Sequence, residues 1–424
     1  MRMTGPYGRV EYAGSKGSGS AEDPYIPEVL DISLESYATI DSTLRVGSVT
    51  TIGDYKQILG KDTILFDEQL SGGATSVFEQ EHDGVKMSVF ADGDYVIRET
   101  KMTHNYVSGN PHIFEQTTID MTPVAGVVKE MGYFSTSDVA PFEAEKDGFA
   151  LVTDDTTIYL KVCKRGVEIF SAAQADWDDP LDGTGPSGLT VDPSAFNVLI
   201  GEFLFLGGTV FRAGFIVGPE VTWFHTFKNS NHKASVFVGS PTQPLRWSIR
   251  STGGAGSFYH ICGKVGTIGQ VAVKGISRLH SNGATFINAN VKGTTYALLG
   301  IRPSSRFVTV NPAAIGGMAG TADQFLLEIR LNPVIAGTVN WVDPGGHHHH
   351  DEFIGASNGS NTVTNGIVLG GMYITNKSTA DISLNNLLRP GCTIDGVHDE
   401  LVLCATPLGA NLNVYGSMQI TIQP

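Results

Sequence analysis

Hydrophobic and polar positions along this chain fall into short, partly alternating runs, each closed by glycine, proline, asparagine or aspartate. Runs of this length and pattern predict half-buried β-strands rather than helices. In the first part of the chain they cover Thr63–Asp67, Val85–Phe90, Tyr95–Thr100, His112–Asp120, Thr157–Cys163 and Val167–Phe170. Three more follow closely, Phe196–Leu206, Val210–Val217 and Val221–Phe227, separated by Gly207-Gly208 and by Gly218-Pro219-Glu220. Such spacing predicts an antiparallel meander forming one wall of a sandwich. Asp92-Gly93 and Lys164-Arg-Gly166 read as hairpin turns, and Asp54–Leu59 as a short helical turn closed by Gly60. Phe258–Val265 reads as the strand that closes this unit. The strand candidates of the second half are Ala284–Val291, Tyr296–Ile301, Phe307–Val310, Phe325–Leu331, Thr338–Trp341, Ile367–Ile374, Leu401–Cys404 and Leu412–Ile422.

The expected fold is all-β: two β-sandwich or jelly-roll-like domains behind an N-terminal extended arm. Residues 1–40, rich in Gly and Ser, form the arm or docking segment. Residues 41–270 form a large sandwich, and residues 271–424 a second one. Composition supports this picture. Glycine makes up 51 of 424 residues and charged residues only 17%, a balance that suits many short strands and tight turns and argues against long helices. The net charge of −15 disfavours nucleic acid, which needs clustered Lys and Arg. Thr4–Ser20 lacks the apolar core of a secretory leader. Glu202, Gly207-Gly208 and Arg212 interrupt the longest apolar stretch, so no membrane insertion is expected. The four cysteines, Cys163, Cys262, Cys392 and Cys404, make no Cys-x-x-Cys pair and read as free buried thiols.

Several groups carry candidate chemistry. The internal run His347, His348, His349 and His350, followed by Asp351 and Glu352, is a candidate metal site, one that three chains could share around a three-fold axis. Set against this are a solvated polar loop and a pH-sensitive contact. Asp176, Asp178, Asp179 and Asp182 suggest calcium, but Pro180 breaks the EF-hand spacing, and carboxylates capping a turn explain them as well. Glu202, in an apolar strand, is either a buried acid or a partner of Arg212 on the neighbouring strand. His225 reads as a hydrogen-bonded core residue. Trp223, Trp247 and Trp341 either stack on sugars or pack between sheets. No nucleophile elbow, phosphate-binding glycine loop or paired-acid strand is present, so no enzyme and no cofactor are expected.

One stretch reads as more than a fold signature. It runs through Trp177, Leu181-Asp-Gly-Thr-Gly-Pro-Ser-Gly188, Asp192, Leu206-Gly207, Arg212-Ala-Gly-Phe215, His225-Thr-Phe227, Asn229, Asn231 and Pro244-Leu-Arg246. This order resembles a segment of virion structural proteins of tailed bacteriophages, with Pro and Leu exchanged at its end. The resemblance implies a fibre, spike, collar or capsid decoration, assembled in the bacterial cytoplasm and residing in the virion. Its partners would be other virion proteins and further copies of itself, a trimer being favoured, and it brings no catalytic residues. The alternative is a carbohydrate-binding adhesin contacting a host surface glycan. A glycan depolymerase is the more remote reading, since it requires two acids about 5–10 Å apart in one groove.

Overall fold

The computed structural model describes residues 39–40, 49–206, 208–269, 275–321, 323–345, 349–375, 379–384, 389–410 and 412–423, together with short backbone strands nearer the start. Those early strands are β1 (Thr4–Gly5), β2 (Gly8–Arg9), β3 (Ser15–Lys16) and β4 (Ile26–Pro27). The rest of the expected arm lies outside the described residues. The chain is all-β, and every strand pairing is antiparallel. Gln174–Asp176, a single 3-10 turn, is the only helical element among the described residues.

Strands from the first part of the chain build two sheets packed face to face. They are β5 (Val49–Lys56), β6 (Phe66–Ser71), β7 (Thr75–Glu79), β8 (Gly84–Val89), β9 (Tyr95–Thr100), β10 (His112–Ile119), β11 (Val127–Ser135), β12 (Asp147–Asp154), β13 (Thr157–Lys164) and β14 (Val167–Ala173). They continue with β15 (Phe196–Leu204), β16 (Val210–Val217), β17 (Glu220–Lys228), β18 (Leu245–Ser251) and β19 (Gly256–Ile268). One sheet runs β17-β16-β15-β10-β19-β8-β7, with β5 also paired to the long β19. The other runs β14-β13-β12-β11-β18-β9-β6. Alternation places Val127, Met131 and Tyr133 of β11 in the core between the sheets, where they meet Phe114, Phe203 and Phe211. Val128 and Phe134 of the same strand point outward into a small second cluster with Ala150 and Val152.

The expected meander is present, β15 pairing with β16 and β16 with β17. Lys164-Arg-Gly166 turns a true hairpin, β13 to β14. Two expectations need correction. Asp54 lies inside strand β5, not in a helical turn, because Gly53–Lys56 pairs with Cys262–Val265. Asp92-Gly93 joins strands of opposite sheets, not a hairpin. There the Asp94 carboxylate accepts from the N–H groups of Phe90, Ala91 and Gly73 and fixes an arch across the sandwich. The strand expected to close this unit over Phe258–Val265 is present within β19, the last strand of the unit, which has β10 on one side and β5 and β8 on the other.

The second half forms a further pair of sheets. Its strands are β20 (Ile276–Ser281), β21 (Ile287–Ala289), β22 (Tyr296–Pro303), β23 (Thr309–Ala319), β24 (Phe325–Leu331), β25 (Val334–Ile335), β26 (His350–Ile354), β27 (Val363–Thr364), β28 (Ile367–Ile374), β29 (Thr379–Ser383), β30 (Leu401–Pro407) and β31 (Leu412–Gln423). The orders are β20-β31-β23-β29, with β21 also on β31, and β26-β22-β30-β24-β28. Phe325–Leu331 and Ile367–Ile374 match expectation residue for residue. Thr338–Trp341 is not a strand, and β20 was not foreseen. The glycine-rich Gly316-Gly-Met-Ala319 belongs to β23. A Cβ at Gly317 would sit 3.0 Å from both Ile374 Cδ1 and Leu327 Cδ2, so the missing side chain lets the sheets approach. The C-terminal strand β31 is pinned between β20 and β23.

Candidate functional site

The stretch from Trp177 to Arg246 is a structural clasp. Trp177 is buried, stacked on Phe224 with ring centroids 4.0 Å apart, and its Nε1–H donates to Ala172 O at 3.1 Å. Leu181 is fully buried with a left-handed φ of 53°. The aspartates serve the turn. Asp179 accepts from the backbone N–H groups of Leu181 and Ser187, Asp178 from that of Thr226, and Asp182 from that of Thr184. A Cβ on Gly185 would lie 2.1 Å from Asp179 Oδ1, so glycine is required there. His225 Nδ1 accepts from Asp178 N–H at 3.2 Å, and its ring stacks on Phe170. Burial lowers its pKa despite the neighbouring Asp178. Asn229 bridges the Gly208 and Ser235 carbonyls.

Glu202 is fully buried and pairs across the strands with Arg212, whose Nη2 and Nε donate to Oε2 at 2.6 and 3.0 Å. The Arg212 guanidinium in turn lies 4.0 Å over the Trp223 ring. Oε1 accepts from Ile40 N–H at 3.2 Å, which ties the residues before β5 to the sheet. Trp247 packs in the core, and Trp341 lies under Arg302 at 4.5 Å. All four cysteines are free thiols.

Of the histidine run, His347 and His348 lie outside the described residues. His349 and His350 diverge: His349 is exposed with φ 53°, and His350 is fully buried at the start of β26. His350 Nε2 lies 3.5 Å from Glu352 Oε2, and His280 Nδ1 lies 3.3 Å from the same oxygen. Arg278 Nη2 donates to Glu352 Oε1 at 3.0 Å. This cluster joins the edge strands β20 and β26 of facing sheets. No three His, Cys, Asp or Glu side chains form a metal-binding group among the described residues.

A cleft of about 650 Å³ lies where the two sandwiches meet. Its wall on the larger sandwich comprises Ser135–Asp138, Glu145, Asp147, Arg165 and Gly239-Ser240. Ser304–Phe307, Cys392, Gly396 and His398 face it from the other side. The sandwiches are held in register beneath it. Glu99, only 2% exposed, receives Arg246 Nη1 at 2.8 Å and Arg306 Nη2 on its other oxygen. Arg306 also donates from Nη1 to Thr136 O at 3.0 Å, and its own carbonyl accepts from Thr103 Oγ1 at 2.8 Å. Further bonds join Cys392 N–H to Lys101 O and Ile394 N–H to Asp67 Oδ2, both at 2.8 Å. Ile394 packs on Ile97 and Phe142. Asp147 is a structural anchor, its carboxylate accepting from the N–H groups of Gly239, Ser240 and Arg165 and from Gln243 Nε2.

Burial and neighbouring charge set the protonation of two groups on the cleft wall. Burial pushes the Cys392 thiol up to about 12, so it is no thiolate at neutral pH. His398 is lowered by burial and by the charges of Arg302 and Arg306. The two carboxylates that burial raises above the usual range, Asp67 and Glu400, do not line the cleft. Sequence reasoning missed these residues. Hydroxyl-rich Ser135-Thr-Ser137 and Ser304-Ser305 were the available signal, but nothing in the sequence brings them together.

These features define the class as a double all-β sandwich with a polar cleft at the junction. No family model and no curated protein matches the sequence. Among solved structures, the chain is similar to a Bacillus licheniformis β-glucanase at 12% identity, over 51% of this chain and 99% of that one, with a TM-score of 0.33. It is similar to the mannose- and calcium-bound exoplasmic domain of VIP36 at 10% identity, over 53% and 100%, with a TM-score of 0.33. It is also similar to a protein of unknown function from Shewanella oneidensis MR-1 at 10% identity, over 59% and 99%, with a TM-score of 0.35. Likenesses this distant carry no argument about function. Among the described residues no helix is long and apolar enough to cross a membrane.

Proposed function

We propose that this chain is a structural component of a tailed phage particle, working by assembly and docking and not as an enzyme. The observation that supports this reading is the use made of the phage-like stretch. Trp177, Asp179, Leu181, Arg212 and Asn229 are each spent on holding a sheet edge and its loops in place, and none of them lines the cleft. Such a stretch builds a part whose product is shape. The experiment is mass spectrometry of purified particles of the phage that encodes the chain, with light scattering of the purified protein. Presence at a fixed copy number per particle, with a trimer in solution, supports the proposal. Absence from washed particles refutes it.

The cleft favours a second reading, a carbohydrate-binding adhesin. It is open, lined by hydroxyls, carboxylates and a guanidinium, and built from both sandwiches. Retention of the purified chain on host cell envelopes, competed by soluble envelope glycan, tests it.

A further inference from the structure

The groups lining the cleft divide into those already engaged and those left to a ligand. Arg306 is committed to Glu99 and the Thr136 carbonyl, and Asp147 to its four N–H donors. Asp138, Glu145, Arg165 and Ser304 are all exposed, and all line the same volume. Between them they offer carboxylate acceptors, a guanidinium fork and a hydroxyl. Phe307, half-buried, adds an apolar strip to the wall. Two further polar atoms of the lining residues, His398 Nδ1 and Arg306 Nε, are shielded from solvent and have no hydrogen-bond partner among the described residues. Shielded polar atoms of this kind are normally satisfied by water or a ligand.

Charge narrows the ligand class. Asp138, Glu145 and Asp147 against Arg165 and Arg306 leave one net negative charge on the lining. An anionic ligand would meet that excess, in a chain that already carries −15. A ligand of many neutral hydroxyls needs alternating donors and acceptors and brings no charge to desolvate. The volume of about 650 Å³ lies within the range of roughly 300–1,000 Å³ typical of small-ligand sites.

We infer that the cleft between the two sandwiches is a binding site for a neutral saccharide, held by Asp138, Glu145, Arg165 and Ser304 against Phe307, with His398 on the wall. The inference rests on the adhesin reading and gives that reading its site. Local geometry supports the placement of two of these side chains. A Cβ on Gly239 would come within 2.9 Å of Arg165 Nε, so this glycine lets the arginine lie along the wall. On the opposite side, a Cβ on Gly396 would lie 3.0 Å from Asp138 Oδ2, which brings Asp138 against the second sandwich.

The test is calorimetric titration of the full chain with maltohexaose, laminarihexaose and β-1,4-mannohexaose as neutral probes. Hexagalacturonate and hexaglucosamine serve as anionic and cationic probes. Asp138→Asn and Arg165→Gln alter exposed side chains, and an unchanged melting temperature verifies their folding. The expected result is a Kd below about 1 mM for at least one neutral probe, weakened tenfold or more by each variant, with neither charged probe bound. Neutral binding that both variants leave intact overturns the cleft as the site while the adhesin reading stands. A preference for a charged probe overturns the ligand class. No binding of any probe overturns the inference; if envelope retention is also absent, the adhesin reading falls with it.

Discussion

Three histidines sealed in the larger sandwich make its stability depend steeply on acid. His104 lies between Tyr55 Oη at 2.7 Å and Gln243 O at 2.9 Å. His260 stacks on Trp247 at 3.8 Å and accepts from Arg98 Nε at 3.2 Å. His112 sits among Tyr106, Tyr133 and Phe203, with neither ring nitrogen hydrogen-bonded among the described residues. All three are fully buried. Burial pushes His104 and His112 down to about 3, and burial with the Arg98 charge holds His260 well below its usual value. In the unfolded chain each returns to about 6.5. Between these limits only the unfolded state takes up the proton, so stability is complete above pH 6.5 and falls as the pH drops toward 3. At pH 5 the unfolded state gains about RT ln(1 + 10^1.5), roughly 2 kcal/mol for each of His104 and His112, or about 4 kcal/mol for the pair relative to pH 7, and His260 adds to this in the same direction. Domain stabilities are only about 5–15 kcal/mol, so this unit approaches acid unfolding near pH 5. Urea titrations at pH 7, 6 and 5, followed by tryptophan fluorescence, read it directly, since Trp177, Trp223 and Trp247 all lie in this sandwich. His112→Phe removes a ring whose two nitrogens lack partners, so it should remove about a third of the pH dependence and add about 1 kcal/mol at pH 7. A loss below about 2 kcal/mol between pH 7 and pH 5, the value for a single histidine, would refute the reasoning.

Three other predictions follow from single contacts. Leu181→Ala, at a fully buried position in the turn that Asp179 caps, should cost about 2–5 kcal/mol in a denaturant titration. Arg306→Ala strips one guanidinium from buried Glu99 and should cost about 3 kcal/mol, with limited proteolysis showing new cleavage around residues 389–399. Because His349 and His350 diverge, EDTA should leave both the oligomeric state and the melting temperature unchanged. A chelator-induced dissociation would assign the histidine run to a metal shared between chains.

Local pattern revealed local structure well and long-range geometry poorly. The meander was legible because its turns contain the residues that such turns need, and the Glu202–Arg212 pair follows once the register of β15 and β16 is set. Asp92-Gly93 misled for a physical reason. A turn sequence fixes local dihedrals but does not decide whether its flanking strands pair or part to opposite sheets, and here the Asp94 carboxylate holds the arch. The cleft was invisible, since its walls come from residues 135–147, 165, 239–240, 304–307 and 392–398, far apart in the chain.

Arg306 joins the two proposed roles physically. One guanidinium pins the sandwiches through Glu99 and Thr136, and the same residue lines the cleft between them. A buried carboxylate flanked by Arg246 and Arg306 is costly to desolvate and adds little net stability over an apolar contact. What it does provide is a single permitted alignment. Sliding one sandwich past the other would leave Glu99 buried with one cation in place of two, whereas an apolar junction would tolerate the shift. For a part that assembles by shape, a fixed angle between its two units matters more than the strength of their contact. For a cleft whose walls belong to different units, the same fixed angle sets the spacing of Asp138 and Arg165 from Ser304. One polar triad would therefore serve both proposed roles, which would account for an ionic group at a junction that hydrophobic residues could have filled.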